Sequence, residues 1–142
     1  MGQNIEMITK RYITDLTYLV IGCCIEVHRH LGPGLLESVY QKCLIEELQT
    51  KEILVQSQLH VPIRYKEKDL GGMLKLDLVV NNVLILELKA VEQMIPLYKA
   101  QLLSYMKLTG IPKGLLINFN CENIKNQMAT LVSENYSKLP YD

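Results

Sequence analysis

The chain has 142 residues, enough to bury a substantial core without disulfide or metal cross-links. Hydrophobic residues make up 49% and charged residues 21%, a composition that excludes general disorder. The 15 basic and 15 acidic residues cancel, so no global positive field attracts nucleic acid, although a local basic groove is compatible with that balance. We expect one domain over residues 1–142.

Two helices open the predicted fold. Residues 1–13 are mixed in character and predict a ragged entry or a short extra turn, whereas apolar residues recur at helical spacing from Asp15, a suitable N-cap, to Leu31. The sequence Gly32-Pro33-Gly34 ends this helix. A second helix follows, with a predicted buried stripe of Leu36, Val39, Tyr40, Cys43, Leu44 and Leu48. Glu37 lies in its first turn, where the helix macrodipole alone would favour an acid.

Three strands are predicted next. From Ile53 the apolar period changes to two, which places one set of side chains on a single face: Val55, Leu59, Val61, Ile63 and Tyr65. Residues 66–72 have the composition of a turn. Two apolar runs then flank Asn81-Asn82, which predicts a hairpin of the second and third strands.

The remaining elements complete an α/β pattern. Residues 91–109 predict a third helix with Pro96 in its first turn, and residues 114–119 predict a buried strand. Residues 124–133 fit either a helix or an edge strand, and residues 134–142 look frayed. The order α-α-β-β-β-α-β predicts a mixed central sheet flanked by helices, in which the third and fourth strands are parallel.

The cysteines indicate a reducing compartment. Cys23, Cys24, Cys43 and Cys121 lack CxxC spacing and a zinc-type His pair, so we expect free thiols and a cytoplasmic protein. The N-terminus lacks the pattern of a signal peptide. The longest apolar stretch, residues 19–25, is too short to span a bilayer.

The predicted hairpin carries ionisable residues where burial would favour aliphatic ones. Asp77 interrupts the first apolar run, and Glu87 and Lys89 interrupt the second. Buried carboxylates are costly unless they are paired or bind a metal, so this hairpin is the place to look for chemistry. Glu87 and Lys89 are two apart in a strand and share a face. A solvent-facing cross-strand ion pair of Asp77 with Lys89 or Lys75 is the alternative.

The turn decides whether Asp77 joins that face. A two-residue Asn81-Asn82 loop would pair Val80 with Val83 and put Asp77 on the opposite face from Glu87. A loop with an odd number of residues, or a bulge, would bring the two acids together. Asn tolerates the left-handed conformation of either turn, so the residues do not choose. We predict the odd loop or bulge, because a metal site requires it.

Other polar residues have both a functional and a structural interpretation. Gln101 and Tyr105 share a face of the third helix, from which the Gln amide could reach Glu87 and Lys89, or else lie at the surface. Tyr40 and Tyr105 could equally be core residues with satisfied hydroxyl groups. His28 could reach the site, or could be a helix residue that caps the backbone near Gly34.

These residues together resemble a known family. Asp77, Glu87-x-Lys89 and Gln101-x-x-x-Tyr105 resemble the core of the PD-(D/E)XK nuclease superfamily, especially its RecB-like branch. Residues 34–40 fit the GxxExxY pattern that names a small family assigned to that superfamily, and residues 27–34 and 115–120 resemble its flanking segments. The resemblance covers about residues 15–120 and implies a restriction-endonuclease-like core. Lys75 stands where an Arg would be expected, which loses bidentate phosphate contact.

The resemblance also implies roles for residues. Asp77, Glu87, the Leu88 carbonyl and Glu37 would hold Mg²⁺ or Mn²⁺ through oxygen ligands. Lys89 would steady the nucleophile or the developing charge, and Gln101 would orient water or phosphate. Tyr105, Tyr40 and His28 would support the site.

Two functions compete at this point. The first is a metal-dependent nuclease that hydrolyses phosphodiester bonds of DNA, or of RNA. The second is a catalytically weak nucleic-acid-binding or protein-assembly module with the same fold, which the neutral charge favours. Hydrolysis of a small phosphate compound lacks a Gly-rich phosphate loop. A homodimer would give a small neutral domain more surface for a duplex.

Overall fold

The computed structural model describes residues 7–142, in which five strands form one sheet with helices on both faces. The helices are α1 Lys10–Leu31, α2 Glu37–Thr50, α3 Pro96–Thr109 and α4 Glu134–Ser137, with a 3₁₀ helix at Ile124–Asn126. The strands are β1 Val55–Tyr65, β2 Lys68–Val80, β3 Leu84–Lys89, β4 Lys113–Asn118 and β5 Met128–Val132. The predicted α/β class and the order α-α-β-β-β-α-β are confirmed, but the tail adds β5 and α4, and α4 lies within the residues 134–142 that were expected to be frayed. For residues 1–6, the predicted ragged entry lies outside the described residues.

The sheet has the strand order β1-β2-β3-β4-β5. Neighbouring strands are antiparallel except β3 and β4, which are parallel, so the predicted mixed sheet and the parallel third and fourth strands are confirmed. The ambiguous segment after β4 forms the 3₁₀ turn and then the edge strand β5. Within residues 7–142, no helix combines the length and the apolar character that a membrane crossing requires.

Two hydrophobic clusters sandwich the sheet. Helices α1 and α2 cover one face, where Leu78, Leu86 and Leu88 are buried. Helix α3 covers the other face, where Ile85 and Leu116 are buried. Burial on both faces explains why β3 and β4 read as nearly continuous apolar runs rather than as alternating ones.

Helix starts differ most from the sequence-based expectations. Helix α1 begins at Lys10 and not after Asp15, because Thr9 is the N-cap and its hydroxyl accepts the Tyr12 N–H at 3.0 Å. Helix α3 begins at Pro96 and not near Val91, because the residue before a proline disfavours helical backbone and Ile95 is extended. The predicted stripe of α2 is also partly wrong, since Leu36 is 75% exposed.

The β1–β2 turn is shorter than predicted. Lys66 and Glu67 both adopt left-handed backbone, with φ of 49° and 66°, and they alone connect the strands. Residues 68–72, expected to be turn, therefore belong to β2. Tyr65, expected on the apolar face of β1, is 60% exposed beside this turn.

The side-chain alternation of β1 and β2 reverses at Gln58 and Asp77. Val55 packs in the α1/α2 cluster, but Leu59 packs in the α3 cluster, so these two residues do not share the face predicted for them. Gln58 has a φ of 52°, and the pairs on either side of it leave it facing Asp77. This irregularity lies at the point where β2 stops pairing with β3 and continues paired with β1 alone.

Candidate active site

The β2–β3 loop sets the register of the site. Asn81 and Asn82 adopt left-handed backbone, and together with Val83 they make a three-residue connection between Val80 and Leu84. Pairing of Val80 with Leu84 and of Leu78 with Leu86 brings Asp77 opposite Glu87. The predicted loop with an odd number of residues is confirmed.

At this point the carboxyl groups of Asp77 and Glu87, and not backbone carbonyls, accept the hydrogen bonds between β2 and β3. The Asp77 N–H donates to Glu87 Oε1 at 3.3 Å, and the Leu88 N–H donates to Asp77 Oδ2 at 2.9 Å. Each acid is therefore held by the backbone of the opposite strand. This mutual anchoring fixes both carboxyl groups on adjacent strands of the sheet.

Glu87 is the most strongly perturbed acid of the site. Its side chain lies in the sheet with only 8% of the residue exposed. Burial first, and then the negative charge of Asp77, raise the pKa of the Glu87 carboxyl to about 8, while the positive charge of Lys89 acts in the opposite direction. Perturbation of this kind is typical of functional sites.

Glu37 reaches the same site from α2. It is the first residue of that helix, and burial followed by the charge of Asp77 raises its pKa, while Lys89 lowers it. Tyr40 stabilises the preceding turn, since its buried hydroxyl donates to the Gly32 carbonyl at 2.6 Å and accepts the Leu35 N–H at 3.2 Å. Tyr40 is thus a core residue that positions the start of α2.

Lys89 lies at the end of β3 over an aromatic ring. Its Nζ is 4.5 Å from the ring centroid of Tyr98 on α3. Its carbonyl accepts the Phe119 N–H at 2.8 Å, which fixes the backbone against the end of β4. The ammonium group is therefore held between the acids and α3 by a cation–π contact.

Helix α3 presents one face to the site. Tyr98, Gln101 and Tyr105 share that face by helical spacing. Burial, and then the charges of Glu87 and Asp77, raise the pKa of the Tyr105 hydroxyl. Gln101 is half-buried between the two tyrosines, although among residues 7–142 no hydrogen bond joins it to Glu87 or Lys89.

The end of β4 and the segment after it support the site through Asn118 and Asn120, which the sequence analysis did not name as site residues. The buried amide of Asn118 donates to the Val91 carbonyl at 2.9 Å and accepts the Val91 N–H at 3.0 Å. Asn120 accepts the Gly34 N–H at 3.1 Å. Asn118 interrupts an apolar strand just as Asp77 and Glu87 do, and that signal could have revealed it.

His28 has a structural contact rather than one with the acids. Its Nε2–H donates to the Cys121 carbonyl at 2.8 Å, which ties the end of α1 to the segment after β4. The four cysteines are all unpaired, as expected. Burial is the main factor that raises the pKa of the Cys121 thiol, so it is not an activated nucleophile.

The donor set fits a hard divalent cation in its chemistry. Asp77 and Glu87 are neighbouring carboxyl groups whose mutual repulsion a cation would relieve, and the Leu88 carbonyl lies between Glu87 and Lys89 in the chain. In the described part of the chain, however, no three His, Cys, Asp or Glu side chains are close enough together to hold a metal ion. Glu37 is a third acid near this pair, since the negative charge of Asp77 contributes to the rise of its pKa.

Comparison with protein families agrees with this geometry. A family model described as the PD-(D/E)XK nuclease superfamily matches residues 14–131. The chain therefore belongs to this superfamily, with a restriction-endonuclease-like fold, and its function is nuclease-like. Members of the superfamily generally use divalent metal ions and act on nucleic acid. Searches of curated proteins and of solved structures give no match.

Proposed function

We propose that the chain is a Mg²⁺- or Mn²⁺-dependent nuclease that hydrolyses phosphodiester bonds of DNA. The observation that carries this proposal is the Asp77–Glu87 pair, in which Glu87 is buried and its pKa is raised to about 8, next to the ammonium group of Lys89. Two acids and a lysine on two adjacent strands are the elements of metal-assisted phosphodiester hydrolysis.

Each residue of the site has a separate role in the proposed reaction. Asp77, Glu87 and the Leu88 carbonyl would bind the ion, with Glu37 as an outer ligand that acts directly or through water. When bound, the ion supplies the charge that polarises the phosphodiester and acidifies the attacking water. Lys89 stabilises the negative charge that develops on the phosphorus centre, and Gln101 orients the water or a neighbouring phosphate. Tyr105 borders the acids, while Tyr40 and His28 support the elements around them.

Further assignments complete the proposal. We assign residues 1–142 to one domain. The Gly34-x-x-Glu37-x-x-Tyr40 pattern supports membership of the GxxExxY family, and the set Asp77, Glu87-x-Lys89 and Gln101-x-x-x-Tyr105 supports the RecB-like branch. The unpaired cysteines favour the cytoplasm. A homodimer would provide the surface that a neutral chain otherwise offers poorly to DNA. RNA cleavage and a catalytically weak binding or assembly module are the alternatives.

Metal binding is tested by titrating Mn²⁺ into the purified protein. We expect binding at micromolar to millimolar concentration, measured as an increase in the unfolding temperature, and loss of this increase in Asp77→Ala. Asp15→Ala, an exposed acid on α1, is the matched control and should retain it. Equal stabilisation of wild type and Asp77→Ala would refute the metal site.

Activity is tested on single-stranded, duplex and branched DNA, with RNA in parallel. Lys89→Ala should lower cleavage by about 100-fold or more, because the developing charge loses its stabilising ammonium group. Lys42→Ala, an exposed lysine on α2, should cleave like wild type. Equal trace cleavage by wild type and Lys89→Ala would instead support the weak binding or assembly module.

A further inference from the structure

The outer part of the β1–β2 hairpin extends beyond the sheet. Strands β1 and β2 pair from Val55 and Val80 out to Tyr65 and Lys68, whereas β3 pairs with β2 through residues 78–80. Residues 59–76 thus continue as two strands past the five-stranded sheet, and we call them the β1–β2 ribbon. Asp77 directly follows residue 76, so this end of the ribbon adjoins the acids of the site.

We infer that the β1–β2 ribbon binds duplex DNA in its major groove and leads the phosphate backbone to Asp77. This inference rests on the proposed function and specifies its substrate class. It does not follow from the acids themselves, which repel phosphate and therefore need a cationic surface beside them.

The charge of the ribbon is opposite to that of the rest of the chain. The ribbon carries four basic side chains against the two acids Glu67 and Asp69, and all six are exposed; the basic ones are Arg64, Lys66, Lys68 and Lys75. Its net charge is +2, and because the whole chain is neutral, the remainder carries −2. The neutral total therefore conceals a positive arm, which would orient the domain on a polyanion.

The exposed surface of the ribbon suits base edges as well as phosphates. His60 pairs with Lys75 across the strands, and both are exposed on the face away from α3. Tyr65, Leu70 and Met73 are each at least 60% exposed. Apolar side chains among cations can contact thymine methyl groups, while the cations contact phosphates and guanine.

The dimensions of the ribbon select the duplex form. A two-stranded ribbon fits the major groove of B-form DNA, which is about 12 Å wide, whereas the A-form major groove of duplex RNA is too narrow for side chains to read. Leu59 and Val61 pack against the α3 cluster, so the free part of β1 is residues 62–65. These four residues span about 13 Å at roughly 3.3 Å per residue, which corresponds to about four base pairs. B-form duplex DNA is therefore the partner that this segment fits.

The test measures binding without cleavage. Fluorescence anisotropy in EDTA would compare a duplex DNA of about 20 base pairs with the matching single strand and RNA duplex. Lys66→Glu/Lys68→Glu should weaken duplex DNA binding by about tenfold or more and reduce its salt dependence. The control Lys42→Glu/Lys138→Glu makes the same charge change at exposed positions outside the ribbon and should bind nearly as wild type does.

Each outcome decides the matter. The inference is supported if wild type binds duplex DNA in preference to the single strand and the RNA duplex, and if only the ribbon variant loses this binding. No binding by wild type, equal weakening in both double variants, or equal binding of the RNA duplex would overturn it. If wild type cleaves DNA in a Lys89-dependent manner while the ribbon variant binds normally, the inference fails and the proposed nuclease stands. Circular dichroism would verify that both variants are folded.

Discussion

Asp77 and Glu87 are joined across two strands by a backbone N–H of one and a carboxyl oxygen of the other, at 3.3 Å. The pair is part of the sheet rather than an addition to its surface. Its charge state should therefore influence stability as well as activity.

Stability without metal should fall as pH rises from about 5 to 8. The pKa of Glu87 is raised from 4.5 to about 8, so the folded state holds a proton that the unfolded state releases. The resulting stability is complete below the unfolded pKa and is lost as pH rises through the folded pKa, by up to about 5 kcal/mol. Urea unfolding in metal-free buffers measures this.

Glu87→Gln should make the free energy of unfolding depend less on pH. The smaller dependence that remains should come from Glu37, whose pKa is also raised. Glu46→Gln changes an exposed acid on α2 and should leave the wild-type slope intact. An unchanged slope in Glu87→Gln would assign the pH dependence to another group.

Tyr98 should position Lys89 through its ring and not through its hydroxyl. The lysine Nζ lies 4.5 Å from the ring centroid, so Tyr98→Phe retains the cation–π contact and Tyr98→Leu removes it. We expect near wild-type kcat for Phe and about fivefold lower kcat for Leu, corresponding to about 1 kcal/mol.

Lysine NMR on the same variants separates positioning from general damage. The Lys89 side-chain resonance should lose its ring-current shift in Tyr98→Leu and keep it in Tyr98→Phe. Equal spectra for both variants would show that the ring does not hold the ammonium group.

Asn118→Ala should destabilise the fold. Its amide is 1% exposed and bonds both backbone polar groups of Val91 as well as Gln127 Oε1, so truncation leaves several polar groups unpaired. We expect a loss of about 2–3 kcal/mol in the free energy of unfolding. Asn126→Ala, at an exposed position nearby, should change it by less than about 0.5 kcal/mol.

Alanine substitution at two glycines should have opposite effects. At Gly114 on β4, an added Cβ would lie 2.8 Å from Met106 Sδ and 2.9 Å from Leu102, so these side chains of α3 must shift, at a cost of about 1–3 kcal/mol. At Gly22 on α1, nothing lies within 4 Å, so alanine should stabilise the helix by about 0.5–1 kcal/mol. Thermal unfolding of both variants tests the packing of α3 against β4.

The sequence was sufficient to predict the order of the elements as far as β4, but not β5 and α4. It also located the acids of the site, because polar residues inside apolar strands are a strong signal. It also identified two possible registers of the hairpin, but not which one forms. Asn81 and Asn82 suit either loop, and the three-residue loop includes Val83, which is buried and reads as strand.

Other features depend on tertiary contacts that the sequence does not display. The reversal of alternation at Gln58 requires a left-handed residue within a strand, for which glutamine gives no sign. Helix α3 starts late partly because Asn118, on a distant strand, bonds both backbone polar groups of Val91, which are then not available to a helix. The contact of Tyr98 with Lys89 likewise follows only from the packing of α3.

The three-residue β2–β3 loop has a consequence for variation within the superfamily. A slip by one residue to a two-residue Asn81-Asn82 loop would pair Val80 with Val83 and place Asp77 opposite Leu86, so that the two acids could no longer face one another. Substitutions in this loop should therefore be tolerated as long as they keep the pairing of Val80 with Leu84. The conformation of this loop thus determines whether the two acids meet, although the loop itself contributes no reactive group.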